Sequence, residues 1–306
     1  MIKASLALLL FLITSSSYSR PINCKLRLSV NNISLTWTGR KEVYTGSISI
    51  SRGVRSRRCR HFIIGLSKGN AGNYNRKAFR RRRTINYNLF KNNSVNTPLK
   101  EIRDANNRDE YIEVSFNNNE RFSSVNFEAR IPFPNNGLTF PAAGTFSDTL
   151  QATIGSRRHD VKEVSTSMRL SIYVAPAIDI SFVSTGSPFD GNATNYSLDF
   201  GEIRQGKSQK LDLRVKSNAG YRVFIVSQNA GKLKHESSTS TIGYVFKRNG
   251  ASFSLTRGTP TRLASFNGIT SDQGNQIGLE FIMKSADQKT AGNYQDTITV
   301  TAMSNN

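Results

Sequence analysis

The sequence predicts an all-β protein built as two β-sandwiches, and three observations carry that prediction. Short segments alternate apolar and polar residues with period two, separated by Gly, Asn and Ser turns. No window of eleven or more residues holds a convincing helical period. One segment also recurs: Ala143-Gly144-Thr145-Phe146-Ser147-Asp148-Thr149-Leu150 returns 148 positions later as Ala291-Gly292-Asn293-Tyr294-Gln295-Asp296-Thr297-Ile298. That spacing is too long for a solenoid repeat and fits two related domains that each close on the same strand.

The elements follow in order. Leu26-Leu28-Val30 and Ile33-Leu35-Trp37 alternate on either side of Asn31-Asn32, read as a turn, and Ser47 to Ile50 continue the pattern. Each repeat copy opens a Gly-led strand, with Asp148 and Asp296 read as structural hydrogen-bonders at a turn or strand edge. Beyond the first copy, Met168, Leu170, Ile172 and Val174 alternate within a further strand, placed to complete the first sandwich from inside the chain. Leu211-Leu213-Val215 and Tyr221-Val223-Ile225 alternate about Ser217 to Gly220. After the second copy only Thr299 to Asn306 follow, so the second sandwich is expected to lack one strand. The expected units are 20–174 and 175–306.

Residues 1–19 read as a secretory signal peptide. Lys3 precedes an apolar run from Ala4 to Ile13, and Ser17-Tyr18-Ser19 supplies small residues for cleavage after Ser19. A run of about ten residues is too short for a membrane span, which takes roughly 20. In an oxidising compartment the isolated pair Cys24 and Cys59 reads as one disulfide. A nucleophilic Cys is the alternative, but neither Cys sits with a His in a recognised motif.

Charge is unevenly placed. Residues 20–174 hold 27 Lys/Arg against 11 Asp/Glu, net +16, and residues 175–306 hold 14 against 10, net +4. The basic residues cluster as Arg52, Arg55, Arg57, Arg58 and Arg60 around Cys59, and as Arg76, Lys77, Arg80, Arg81, Arg82 and Arg83 around Phe79. Guanidinium forks suit carboxylate, sulfate and phosphate, so these positions other than Arg52 are candidates for binding an anionic surface or polysaccharide, with Tyr74, Phe79 and Tyr87 available to stack on sugars. A solvated basic face is the plainer alternative. A rival adhesive surface is apolar, formed by Phe133, Leu138 and Phe140.

Several segments resemble the spore coat protein U domain family, subunits of archaic, Csu-type chaperone–usher pili. They are Tyr196 to Ile203, Val215 to Tyr221, Ser227 to His235 and the Ala291 to Ile298 strand. In the first half the resemblance rests on Cys24 and Cys59, Ile85 to Phe90, and Ala143 to Leu150. It implies immunoglobulin-like sandwiches, the C-terminal one an incomplete pilin sandwich. A periplasmic pilus chaperone would fill its gap first, then a donor strand from an adjacent pilin subunit after passage through the outer-membrane usher. Ile178, Ile180, Phe182, Tyr294, Ile298 and Val300 are the expected groove residues. Arg20 to Asn23 alone precede Cys24 in the expected mature chain, too few to donate a strand, which points to a tip adhesin at the cell surface. The alternatives are a periplasmic pilus chaperone and a non-adhesive pilus or coat subunit.

No catalytic set is legible. His61, His159 and His235 lack metal-ligand spacing, the carboxylates are scattered, and no Gly-rich phosphate loop follows a strand. No enzyme activity, cofactor or metal is expected.

Overall fold

The computed structural model describes residues 21–38, 42–92, 96–132 and 141–305. The expected signal peptide and the apolar candidates Phe133, Leu138 and Phe140 lie outside the described residues. Within them the fold is all-β, as the alternation predicts.

The first half contributes β1 (Leu26–Val30), β2 (Ile33–Trp37), β3 (Glu42–Arg52), β4 (His61–Leu66), β5 (Lys77–Arg80), β6 (Arg83–Asn86), β7 (Asn88–Lys91), β8 (Ile112–Ser115), β9 (Phe122–Ile131), β10 (Gly144–Gly155) and β11 (Val164–Val174). One sheet runs β1-β3-β9-β7. The other runs β2-β11-β10-β4-β8, with β5 beside β10 and β6 beside β5. The further strand seen in the sequence is β11, which pairs antiparallel with β10 from Gly144↔Val174 to Ile154↔Val164. Its inward Met168, Leu170, Ile172 and Val174 are buried, each burial contributing on the order of 2 kcal/mol.

Asn31-Asn32 is not a hairpin turn. β1 pairs with β3, whereas β2 crosses to the opposite sheet and lies parallel to β11, Ile33 facing Leu170. The two asparagines carry the chain from one sheet to the other. Ser217 to Gly220 does the same in the second half, where the flanking strands belong to different sheets.

The second half contributes β12 (Ile178–Val183), β13 (Ser208–Ser217), β14 (Tyr221–Ser227), β15 (Lys232–His235), β16 (Thr241–Arg248), β17 (Ala251–Ser252), β18 (Thr261–Phe266), β19 (Asn275–Met283), β20 (Tyr294–Gln295) and β21 (Ile298–Ser304). They form β12-β13-β19-β16-β15-β20, with β17 beside β16, and β18-β14-β21.

The two halves share their main strand pairings. β1-β3-β9-β7 corresponds to β12-β13-β19-β16. On the opposite side, β10 is flanked by β4 and β5 as β21 and β20 are flanked by β14 and β15. Each half has its own apolar core. The main difference falls at one edge: β11 and β2 have no counterpart among the described residues of the second half.

Candidate strand-acceptor edge and cationic surfaces

That difference leaves two edges side by side. β12 ends one sheet and β21 ends the other, and the two strands approach each other directly. β21 alternates half-buried and exposed residues along its length, whereas on β12 the half-buried Ile178, Ile180 and Phe182 alternate with exposed Asp179 and buried Ser181 and Val183. The half-buried side chains Ile178, Ile180 and Phe182 on β12, and Ile298, Val300 and Ala302 on β21, pack against the second core. The corresponding positions of β10, Leu150, Ala152 and Ile154, are fully buried beneath β11. Among the described residues, β21 has no strand partner opposite β14, and the outer edge of β12 carries one backbone bond, Phe182 N–H to Ala193 O at 2.7 Å. Such edges offer unpaired N–H and C=O groups to an incoming strand.

Tyr294 departs from the expected groove set. It lies on β20 beside β15, edge-on to His235 with ring centroids 4.9 Å apart, and its hydroxyl bonds Ser240 Oγ and Thr290 O. These bonds hold it to β15 and the turn that follows. Sequence reasoning missed Ala302, whose place is given by the same alternation that marks Ile298 and Val300.

The two repeat aspartates have parallel roles. Asp148 accepts the Tyr87 hydroxyl at 2.6 Å and the Asn70 N–H at 2.9 Å. Asp296 accepts the Tyr244 hydroxyl at 2.6 Å, the Ser227 hydroxyl at 2.6 Å and the Asn229 N–H at 3.0 Å. Each therefore ties its segment to neighbouring strands and turns, Asp148 from a buried position and Asp296 from a half-buried one between β20 and β21. The repeat glycines, Gly144 (φ 120°) and Gly292 (φ 142°), sit beneath Arg80 and His235, which bond the carbonyls of Ala143 and Ala291.

The basic residues do not form one surface. Arg76 is a correction to the sequence reading, because it is 0 % exposed. Its guanidinium donates to Ser67 O (2.8 Å), Asn88 Oδ1 (2.6 Å), Leu66 O (2.9 Å) and Leu99 O (2.7 Å), and burial pushes its pKa down to about 10. It joins four chain segments and is sealed from any external anion. Tyr87 is buried too, and Tyr74 packs against Arg76, Lys68 and Lys100, so neither is a sugar platform.

Arg80 to Arg83 form the β5–β6 hairpin, with Arg81 at φ 53°. This hairpin lies where β10 starts, beside a cleft of about 440 Å³ lined by Arg83, Trp37, Phe146 and Ile269. Arg55, Arg57, Arg58 and Arg60 gather at the other end of β10, where Gly155 pairs with Ile63. Twelve residues of strand separate the groups by roughly 35–40 Å. Lys77 is exposed on β5.

The Cys24–Cys59 disulfide forms at the Arg55–Arg60 end, with a Cα–Cα distance of 5.6 Å. Arg52, 2 % exposed, braces it by donating to Cys59 O (2.5 Å), Asn117 O (2.6 Å) and Glu120 O (2.9 Å). Burial first, then the nearby charges of Arg60 and Arg55, lower its pKa. Among the described residues no group of three His, Cys, Asp or Glu is placed to hold a metal ion.

Paired sheets in each half, the first clamped by the disulfide, define an all-β protein of two sandwiches. The Spore Coat Protein U domain family model matches residues 19–153. The match falls on the half where the resemblance rested on fewer residues. It ends within β10, so β11 lies outside the matched unit. No curated protein matches the chain.

Among solved structures, the chain is similar to the chaperone–tip adhesion subunit pre-assembly complex of the archaic chaperone–usher Csu pili of Acinetobacter baumannii, at 12 % identity and TM-score 0.44, over 90 % of this chain and 99 % of that one. It is similar to the CupB6 tip adhesin of Pseudomonas aeruginosa, at 13 % identity and TM-score 0.38, over 90 % and 94 %. A chaperone–tip adhesin complex of CFA/I fimbriae gives 12 % identity and TM-score 0.38, over 94 % and 97 %.

Proposed function

We propose that this chain is the tip adhesin of a chaperone–usher pilus, exported through the periplasm to the cell surface. Residues 20–174 form a self-contained binding domain. Residues 175–306 form a pilin domain that takes its missing strand first from a periplasmic chaperone and then, past the outer-membrane usher, from the adjacent subunit.

One observation carries this reading. The second sandwich repeats the main strands of the first but has no counterpart of β11 and β2 among the described residues, and there β12 and β21 leave two half-covered apolar rows and backbone edges with few partners. In the first sandwich that place is filled by β11, a strand of the same chain beyond the family-matched unit. The residues before β1 are also engaged: Ile22 N–H donates to Asp160 O and Ile22 O accepts from Lys162 N–H. That supports a subunit that receives a strand rather than gives one.

The test fuses a donor segment of about ten residues with alternating apolar side chains to the C terminus through a flexible linker. The unfused chain, produced without chaperone, is expected to aggregate. The fused chain is expected to be soluble, with the β21 amides slow to exchange hydrogen. An unfused monomer that unfolds cooperatively and already protects β21 would overturn the reading.

A further inference from the structure

The end of the first sandwich that carries the disulfide brings together three loops far apart in sequence. Residues 53–60 hold Arg55, Arg57 and Arg58, residues 116–121 end in Arg121, and residues 156–163 hold Arg157 and Arg158. All six arginines are exposed. Backbone bonds tie the loops together, the third through residues 22–24. Arg52 N–H donates to Arg121 O, Phe116 N–H to Arg60 O and Gly53 N–H to Cys24 O, while Ile22 bonds both Asp160 and Lys162. The disulfide and the buried Arg52 guanidinium complete the frame.

The carboxylates on these loops are Glu120, Asp160 and Glu163. Glu120 is engaged by Asn117, Asp160 by Ser156 and Glu163 by His159. Among the described residues none of the six arginines forms an ion pair. Six exposed guanidinium forks, against three carboxylates, are therefore carried toward solvent on loops whose backbones are tied together. Beside Arg121 stands Phe122, 77 % exposed at the outer start of β9.

We infer that this pole, rather than the Arg80–Arg83 hairpin, is a docking surface for an acidic polysaccharide bearing carboxylate or sulfate groups. The inference deepens the adhesive reading of the first sandwich and rests on it. Guanidinium forks pair bidentately with both kinds of anion, and a chain of repeated charges engages several loops at once. Phe122 supplies one flat apolar face for the ring of a sugar between charges. Single-stranded nucleic acid asks for successive aromatic platforms along a basic groove. This pole offers one aromatic among arginines on projecting loops, which favours the polysaccharide.

The experiment titrates the full chain, with and without the fused donor segment, onto heparin, neutral dextran and single-stranded DNA at rising salt. Heparin binding is expected, with affinity falling steeply as salt rises, and dextran is expected not to bind. Replacing Arg57, Arg58, Arg157 and Arg158 with Ser should weaken heparin binding at least about tenfold with the melting temperature unchanged. The variant Arg81→Ser/Arg82→Ser should bind as the parent does. Phe122→Ala should weaken heparin binding about threefold at every salt concentration.

Equal losses in the two arginine variants would overturn the inference in favour of general charge attraction. Tighter binding to DNA than to heparin, or no effect of Phe122→Ala, would overturn the sugar assignment. A chain that needs the donor segment yet ignores heparin loses this inference alone. One that binds heparin but folds without a donor loses only the assembly reading.

Discussion

Tyr87 and Asp148 meet in the first sandwich, hydroxyl to Oδ2 at 2.6 Å, and Tyr244 and Asp296 meet in the second at the same distance. A hydrogen bond to a charged acceptor contributes about 1.5–3 kcal/mol. Tyr87→Phe and Tyr244→Phe should each lower stability by that much in urea unfolding of the donor-fused chain, with Tyr244→Phe acting on the second sandwich.

The same pairs set an alkaline limit. Burial, and then the bond to the aspartate, holds both phenols above their ordinary pKa. In the unfolded chain they ionise near about pH 10. The neutral phenols' contribution is therefore complete below about pH 10 and is lost as pH rises toward the folded-state values. Stability should fall by up to about 1.4 kcal/mol per pH unit for each tyrosine. Urea midpoints should drop less steeply above about pH 10 in the double Tyr→Phe variant, and parallel curves would contradict this.

Arg76→Met should destabilise the first sandwich by about 3 kcal/mol or more. It leaves the carbonyls of Leu66, Ser67 and Leu99 without their guanidinium donor, each buried acceptor costing about 1–3 kcal/mol. Arg81→Ser, on an exposed turn, should change stability by under about 0.5 kcal/mol. Similar losses for both, measured by thermal melting, would contradict the buried role.

Gly144→Ala and Gly292→Ala should each cost about 1–3 kcal/mol. Both backbones lie in a region that side chains seldom adopt, and a new Cβ would press on Arg80 or His235. Arg80 has a flexible end and moves aside at less cost than the His235 ring. The larger loss is therefore expected at Gly292.

Intact mass should lie about 2 Da below the reduced value, with no thiol reacting in the native protein. Cys24→Ser/Cys59→Ser should remove about 3–4 kcal/mol through the closed loop. The same variant should weaken heparin binding under conditions where it remains folded, since the bridge anchors the loop that carries Arg55, Arg57 and Arg58.

Much of this architecture could be read along the chain because it is local. Met168, Leu170, Ile172 and Val174 declare a strand by their alternation, and the two Asp-Thr copies declare related domains. Arg76 does not declare itself. It stands next to exposed Lys77, and the carbonyls that bury it come from Leu66 and Leu99, brought together by the fold. Asn31-Asn32 reads as a turn because the partner of the next strand lies at Leu170. The cationic pole was half legible: Arg55 to Arg60 stand together in sequence, whereas Arg121, Arg157 and Arg158 join them through pairing of distant strands.

The parallel pairing of β2 with β11 also sets a timetable. For a chain that leaves the membrane amino end first, Ile33 emerges long before its partner Leu170. Loop closure over such a distance is entropically costly, and non-local pairing is slow. In such a chain the first core stays open along β10 until residues 164–174, which form β11, have followed and can pair with both β10 and β2. Until then Phe146, Leu150 and Ile154, buried in the finished sandwich, lack the strand that closes their edge.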